Sequence, residues 1–384
     1  MKSSASRLLE IRGSVIGEIA SLAAKYRAIN LSMGFPDFDP PPEVIAAAHH
    51  AIDHGLNQYS MDWGLPDLRR AIAAKMKRWY DLDFDADKHV TVTCGVTEAL
   101  MATFMGLINP GDEVIIIEPC HEGYLPAAVF AGAQARFVAL DLPDYALDLE
   151  KLRATFSART RAILINSPHN PTGRVFTRVE LEEIARLCNE FDAIAITDEI
   201  YEHITYDDHA HIPFASLPGM MERTVTLSGF GKTYAVTGWR LGYVCAPSNF
   251  TDAIRKAHMA STVCAPTPFQ AASIAALNLP DSYHQQLRSD YTVRRNMTAD
   301  MLKQAGFSVL QLQGAYYALA DFGKWNFDGD DYAFARMLPE KYGVAVMPGS
   351  NYYLTPGHGK QTVRIAYAKK LETLQAARER LPSM

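Results

Sequence analysis

Seven short apolar runs punctuate the middle of the chain: HVTVTCG (89–95), EVIIIEP (113–119), ARFVAL (135–140), AILINSP (162–168), AIAITDE (193–199), TVTLSG (224–229) and LGYVCAP (241–247). Runs such as EVIIIEP and AILINSP show no apolar–polar alternation, and HVTVTCG and TVTLSG alternate chiefly with small threonine and serine, so these suit strands buried on both faces. Helical patterns lie between several of them. TEALMATFMGLI follows the first run, and TRVELEEIARLCNEF opens at Thr177 with Glu180 three residues on, a capping-box spacing. Strands that alternate with helices build a mainly parallel α/β sheet.

Beyond about residue 280 the pattern changes. An amphipathic helix (YHQQLRSDYTVRRNMTADMLKQAG), short strands (FSVLQLQGAYYALADF, GVAVMPG, TVRIAYA) and a last helix (KLETLQAARERL) read as a smaller α+β unit. The 384 residues therefore divide into an N-terminal arm that joins the small unit (1–44), a large unit (45–280) and a small C-terminal unit (281–384).

Charge and cysteine usage exclude several function classes. Lys+Arg number 37 against 43 Asp+Glu, well interspersed, so neither nucleic acid nor an anionic membrane is an expected partner. Five scattered cysteines without CxxC spacing fit a reducing compartment and argue against a disulfide frame or a metal site. The first residues carry Glu10, Arg12 and Glu18 where a signal peptide needs an apolar run, and no stretch is long and apolar enough to span a membrane. The expected location is the cytoplasm.

In open α/β sheets ligands bind beyond the carboxyl ends of the strands, and four of those ends carry polar chemistry. Gly95-Val96-Thr97 follows the first strand at a helix start, where free N–H groups and a hydroxyl suit a phosphate; taken alone, the same residues read more readily as a helix cap. Asn170 stands between two turn prolines after the fourth. Asp198, with Tyr201 three residues on, ends the fifth, and a carboxylate there needs a cationic or N–H partner. Ser228 and Lys232 follow the sixth, with Arg240 beyond. Lysine is rarely placed among apolar and small residues, and such a setting suits an amine that acts as a nucleophile. Together these groups match a cofactor with an aldehyde, a pyridine nitrogen, a phenolic oxygen and a phosphate: pyridoxal 5′-phosphate (PLP).

At this point the chain resembles the class I/II aminotransferases of fold type I, from INLSMGFPDFDPP to VRIAYAKK. It is most similar to the branch of kynurenine/glutamine, methionine and succinyldiaminopimelate aminotransferases, through GFPDFD, NQY, TCGVTEAL, NSPHNPTG, TDEIYEH and SGFGKTYAVTGWRLGY. The resemblance implies a seven-stranded, mainly parallel sheet in the large unit. It implies that Lys232 forms the Schiff base and shuttles the proton, that Asp198 pairs with the ring nitrogen, and that Tyr201 and Asn170 bond the ring oxygen. Gly95, Val96, Thr97, Ser228 and Arg240 are implied to hold the phosphate. Tyr59 is implied to reach the phosphate of a neighbouring subunit's cofactor in a homodimer. Arg364, with Asn170 and the Gly34 backbone, is implied to grip the substrate carboxylate. In EPCHEGY, His121 stands where this branch stacks a tyrosine or phenylalanine on the ring.

The segments SVIGE, SMGF and GAYYA are apolar, and no second arginine for a dicarboxylate stands out. The expected activity is transfer of the amino group of a neutral, medium or large L-amino acid to a 2-oxo acid. The competing reading is another PLP reaction on the same scaffold: β-elimination, decarboxylation or oxidative modification. A PLP-bound regulatory module is a third, but residues 1–30 are too short for a DNA-binding domain.

Overall fold

The computed structural model describes residues 5–310 and 312–384. Residues 1–4 of the expected arm, and Gln311 in the expected strand stretch 307–322, lie outside the described residues. The seven apolar runs form one seven-stranded sheet: β1 Val90–Thr93, β2 Glu113–Glu118, β3 Gln134–Ala139, β4 Thr160–Asn166, β5 Ile194–Asp198, β6 Thr224–Gly229 and β7 Gly242–Cys245. Their order across the sheet is β1-β7-β6-β5-β4-β2-β3, and β7 alone runs against the other six.

The lack of polar alternation in EVIIIEP has a direct physical cause. Along β2, Val114 and Ile116 join a core with Ala99 and Phe104 of helix Gly95–Leu107. Ile115 and Ile117 point the other way, into a core with Leu181 and Ile184 of helix Arg178–Glu190. Both faces are covered at Val114–Ile117, so apolar residues stand at four successive positions, and each such side chain contributes about 1.5–3 kcal/mol when fully buried. The Arg178–Glu190 helix starts as its sequence implies. The Thr177 hydroxyl accepts the Glu180 N–H, and the Glu180 carboxylate accepts the Thr177 N–H.

A four-stranded antiparallel sheet, ordered Met347–Pro348, Thr362–Ala366, Tyr317–Asp321, Ser308–Val309, packs beside the large one. Strand alternation divides its central strand: Val363 and Ile365 enter a core with Leu302 and Phe334, and Arg364 between them faces the opposite way. Helix Val15–Lys25 contributes Ile19 and Ala23 to that same core. Ile29–Asn30 pairs in parallel with Val344–Ala345, which ties the N-terminal segment to the C-terminal part of the chain. Among the described residues no helix is long and apolar enough to cross a membrane.

Candidate active site

Sheet topology gathers the polar strand ends on one edge. The six parallel strands finish there, and β7 starts there. Asn166 lies opposite Asp198, Asp198 opposite Leu227, and Gly242 is flanked by Thr93 and Gly229. The residues just past these ends therefore meet, and together with Arg364 from the small sheet they line an open cavity of about 230 Å³. Gly34, Gly95, Val96, Thr97, His121 and Asn170 line it, as do Asp198, Tyr201, Lys232, Arg240 and Arg364.

Five charged groups in its wall, Glu122, Asp198, Lys232, Arg240 and Arg364, lack an opposite charge at pairing distance among the described residues. Asp198 is buried, and its carboxylate accepts from the Tyr124 hydroxyl (2.8 Å) and the Ile200 N–H (3.3 Å), both neutral donors. Burial outweighs these bonds and pushes its carboxyl up to about 6. Arg364 is 4% exposed; its Nη1 donates to Asn170 Oδ1 (3.2 Å), its Nη2 to the Ser32 carbonyl (2.8 Å), and its Nε has no protein partner. The Tyr317 and Tyr352 rings flank its guanidinium at 4.4 and 4.7 Å. Arg240 is exposed to the cavity and donates to the Thr237 carbonyl (3.1 Å).

Arg240 closes over the start of helix Gly95–Leu107. Gly95 has φ +81°, and a Cβ there would lie 2.9 Å from Arg240 Nη2, so glycine is required twice over: for its backbone angle and for the approach of the guanidinium. Free N–H groups of a helix start beside a guanidinium form an anion cradle. Lys232 lies half-buried between this cradle and Arg364. Its Nζ donates to the Gly34 carbonyl (3.2 Å), which also accepts the Tyr316 hydroxyl (3.0 Å). Gly34 is glycine because Tyr317 presses on it: an added Cβ would stand 1.9 Å from the Tyr317 hydroxyl oxygen.

His121 borders the cavity, and its Nδ1 accepts the Gly123 N–H at 3.1 Å, which places the ring proton on Nε2. Burial, then the nearby Lys232 and Arg364 cations, push the imidazole down to about 4, so the ring is neutral at physiological pH. Tyr201 donates its hydroxyl to that of Tyr317 at 3.2 Å.

Two expected site residues do not line the cavity of this chain, and one of them, Tyr59, is expected at that of a second copy. Ser228 is 1% exposed, and its hydroxyl donates to Glu202 Oε1 at 2.7 Å, away from the cavity. The reason is the alternation of β6: its last residue, Gly229, takes the next direction, so Ser228 is not part of the phosphate cradle in this fold. Tyr59 is 81% exposed and does not line the cavity of its own chain. Other residues escaped the sequence reading. Tyr124 holds Asp198. The Asn166 side chain donates to the Asp198 carbonyl and accepts the Asn170 N–H. Tyr124 stands in the EPCHEGY stretch, three residues after His121, at the start of the helix Tyr124–Ala131. Arg12, which the sequence did not single out, lines an adjoining cavity.

The unpaired charges form a specific demand: a cation or ring N–H at Asp198, a compact anion at Gly95–Arg240, a carboxylate at Arg364, and an electrophile within reach of Lys232. PLP with an amino acid meets all four, so the residues present fit that cofactor. The chain matches the family described as aminotransferase class I and II over residues 26–381. It is 40% identical to the probable N-succinyldiaminopimelate aminotransferase of Mycobacterium tuberculosis, over 98% of this chain and 97% of that one. It is 36% identical to the methionine aminotransferase of Escherichia coli, with 98% and 97% covered. The solved structure of the Mycobacterium tuberculosis enzyme superposes with a TM-score of 0.96 at 39% identity, covering 99% of each chain. The chain belongs to the class I and II aminotransferase family and is a PLP-dependent enzyme of α/β fold type I.

Proposed function

We propose that the protein moves the amino group of a neutral, medium or large L-amino acid to a 2-oxo acid, with Lys232 as the amine that carries the cofactor. The observation that carries this reading is the buried, unpaired guanidinium of Arg364 beside Lys232. A buried charge without a partner is costly, and the α-carboxylate common to amino acids and 2-oxo acids pairs it in both halves of the reaction. Relatives named as a methionine aminotransferase and as kynurenine–oxoglutarate transaminases support a donor with a sizeable uncharged side chain.

When bound, the cofactor supplies an aldehyde carbon that condenses with amines and a ring that takes up the electron pair of a broken Cα–H bond. The chain supplies the rest. Asp198 holds the proton on the ring nitrogen, and that ion pair relieves the burial that now keeps its carboxyl near 6. The N–H groups of Gly95 and Val96, the Thr97 hydroxyl and Arg240 bind the phosphate. Tyr201 and Asn170 bind the ring oxygen, and His121 covers the ring as a neutral plate. Arg364 and Asn170 orient the carboxylate and so select the bond that breaks. Lys232 Nζ takes the Cα proton and returns it, a step of the kind that contributes about 10²–10⁴-fold.

The reading extends to a cytoplasmic homodimer in which the exposed Tyr59 reaches the phosphate site of a second copy, and to the division into an arm (1–44), a large unit (45–280) and a small unit (281–384). A single dimeric boundary in sedimentation is expected; a fully active monomer contradicts the shared site. The decisive experiment is product analysis of purified protein with PLP, an amino-acid panel and pyruvate or 2-oxoglutarate. New amino acid and new oxo acid should form in equal amounts from neutral donors. Ammonia, CO₂ or peroxide without a new amino acid would overturn the reading in favour of a lyase, decarboxylase or oxidative reaction.

A further inference from the structure

A second cavity, about 210 Å³, adjoins the first and shares His121 and Glu122 with it. None of the chemistry described above uses it. Its outer wall comes from distant stretches of chain: the segment before helix Val15–Lys25, the start of the region after β2, and the Asn351–Leu354 region. It is the continuation of the cleft past His121, and hence the room available to a substrate side chain too long for the cleft itself.

Its wall is apolar at Ile11, Leu125 and Leu354 but carries two opposite charges. Arg12 Nη1 donates to the carbonyls of Ser350 (3.3 Å) and Tyr353 (3.0 Å). These bonds anchor the guanidinium and leave Nε and Nη2 without a protein acceptor among the described residues. Glu122 accepts from Asn351 Nδ2 at 2.9 Å and stands where the two cavities meet. Neither residue has an ion-pair partner among the described residues.

We propose that Arg12 binds the distal carboxylate of a dicarboxylic 2-oxo acid, and so is the specificity-determining residue that lets one site take a neutral donor and an acidic acceptor in turn. This rests on the aminotransferase reading of the same site. Both substrates give their α-carboxylate to Arg364, so they can differ only in how the side chain is received. A neutral side chain uses the apolar wall. An acidic one reaches Arg12, whose fork suits a carboxylate. The exposure of Arg12 is essential to this double use: it stays hydrated when a neutral side chain is present, whereas a buried arginine would penalise every neutral substrate. Glu122 at the neck acts in the opposite sense. It repels a carboxylate close to the reacting carbon, which favours five- or six-carbon 2-oxo diacids over the four-carbon one.

The test compares wild type, Arg12→Gln, Arg12→Lys and Glu122→Gln. Each protein is loaded with pyridoxamine phosphate, so that acceptors are read without any donor. The measured quantity is kcat/KM for 2-oxoglutarate relative to that for a neutral 2-oxo acid such as 4-methyl-2-oxopentanoate. Arg12→Gln should lower this ratio about 10- to 100-fold, the range for losing hydrogen bonds to a charged group, chiefly through KM. Arg12→Lys should restore part of it, and Glu122→Gln should raise it. Glutarate, an unreactive diacid, should bind Arg12→Gln at least about tenfold more weakly than wild type by calorimetry. A ratio unchanged in Arg12→Gln, or lowered alike in Glu122→Gln, would overturn the proposal. Failure of neutral donors in the separate donor panel would instead overturn the donor reading, and the acceptor ratio would still decide the role of Arg12.

Discussion

Lys232 carries the strongest residue-scale expectation. No other lysine lies in the cavity between the Gly95–Arg240 cradle and Arg364. Lys232→Ala should abolish turnover and the borohydride-reducible link between cofactor and chain, while Thr97, Arg240 and Asp198 still retain PLP noncovalently. A reducible adduct at wild-type yield would remove Lys232 from its role. His121 is a different case. With its imidazole held near 4, it has no proton to gain or lose near neutrality. His121→Phe should therefore leave any limb of the pH–rate profile near 6.5 in place and change cofactor affinity by no more than about tenfold, the scale of an aromatic contact worth about 0.5–1.5 kcal/mol. A loss of about 10²-fold or more in turnover with PLP still bound would make the imidazole a proton-transfer group.

At the scale of elements, Ser228 shows what supports the site from behind. Its hydroxyl, the Tyr80 hydroxyl and Lys75 Nζ all converge on Glu202, and Lys75 also donates to Tyr243 at 3.2 Å. This buried group ties helix Pro66–Tyr80 to β6, β7 and the turn after β5, beneath the strand ends that carry Asp198 and Tyr201. Burial works to raise the Glu202 carboxyl, but Lys75 and the nearby histidines hold it below the usual range. Removing one partner of a buried pair leaves the other charge uncompensated, at about 3–5 kcal/mol. Lys75→Met should cost that much in denaturant unfolding, and Lys75→Met with Glu202→Gln should recover part of it. A double variant no more stable than the single one would mean that the charge pair is not the source of the loss.

The whole molecule should be sensitive to acid before its carboxylates titrate. Burial pushes His121 and His284 down to about 4 and His169 and His203 down to about 3. Each binds a proton near pH 6.5 when unfolded but not when folded, so stability is full above 6.5 and falls as the pH drops from there towards 4. Each group contributes a slope of up to about 1.4 kcal/mol per pH unit in that window. Asp198 acts oppositely in the cofactor-free protein, because its raised carboxyl costs stability as the pH rises from about 4 to about 6. His258 and Asp331, whose folded values are raised, act in the same sense as Asp198, and the lowered His89 joins the other four histidines; the five outweigh the three, so the melting temperature should fall between pH 7 and pH 5. A flat profile would mean that these histidines are charged in the folded state. Asp198→Asn should steepen the fall.

The sequence by itself determined the sheet. β1, β2 and β4 to β7 were legible because both faces are covered and nearly every residue is buried, β3 at the sheet edge was legible from its apolar residues although Gln134 and Arg136 are exposed, and the Thr177–Glu180 cap was legible because its bonds span three residues. It also determined the chemistry of the strand ends, since Asp198, Lys232 and Arg240 each stand a few residues from a recognisable run. Only the tertiary structure decided which way those side chains point and which distant segments join them. The one-residue phase of β6 turns Ser228 to Glu202 and away from the cavity. Tyr124 reaches Asp198 across 74 residues. Arg12 reaches the Ser350 carbonyl across 338 residues. A contact of that span leaves no local pattern in the chain, because neither partner's propensity nor its neighbours depend on the other until both sheets have packed.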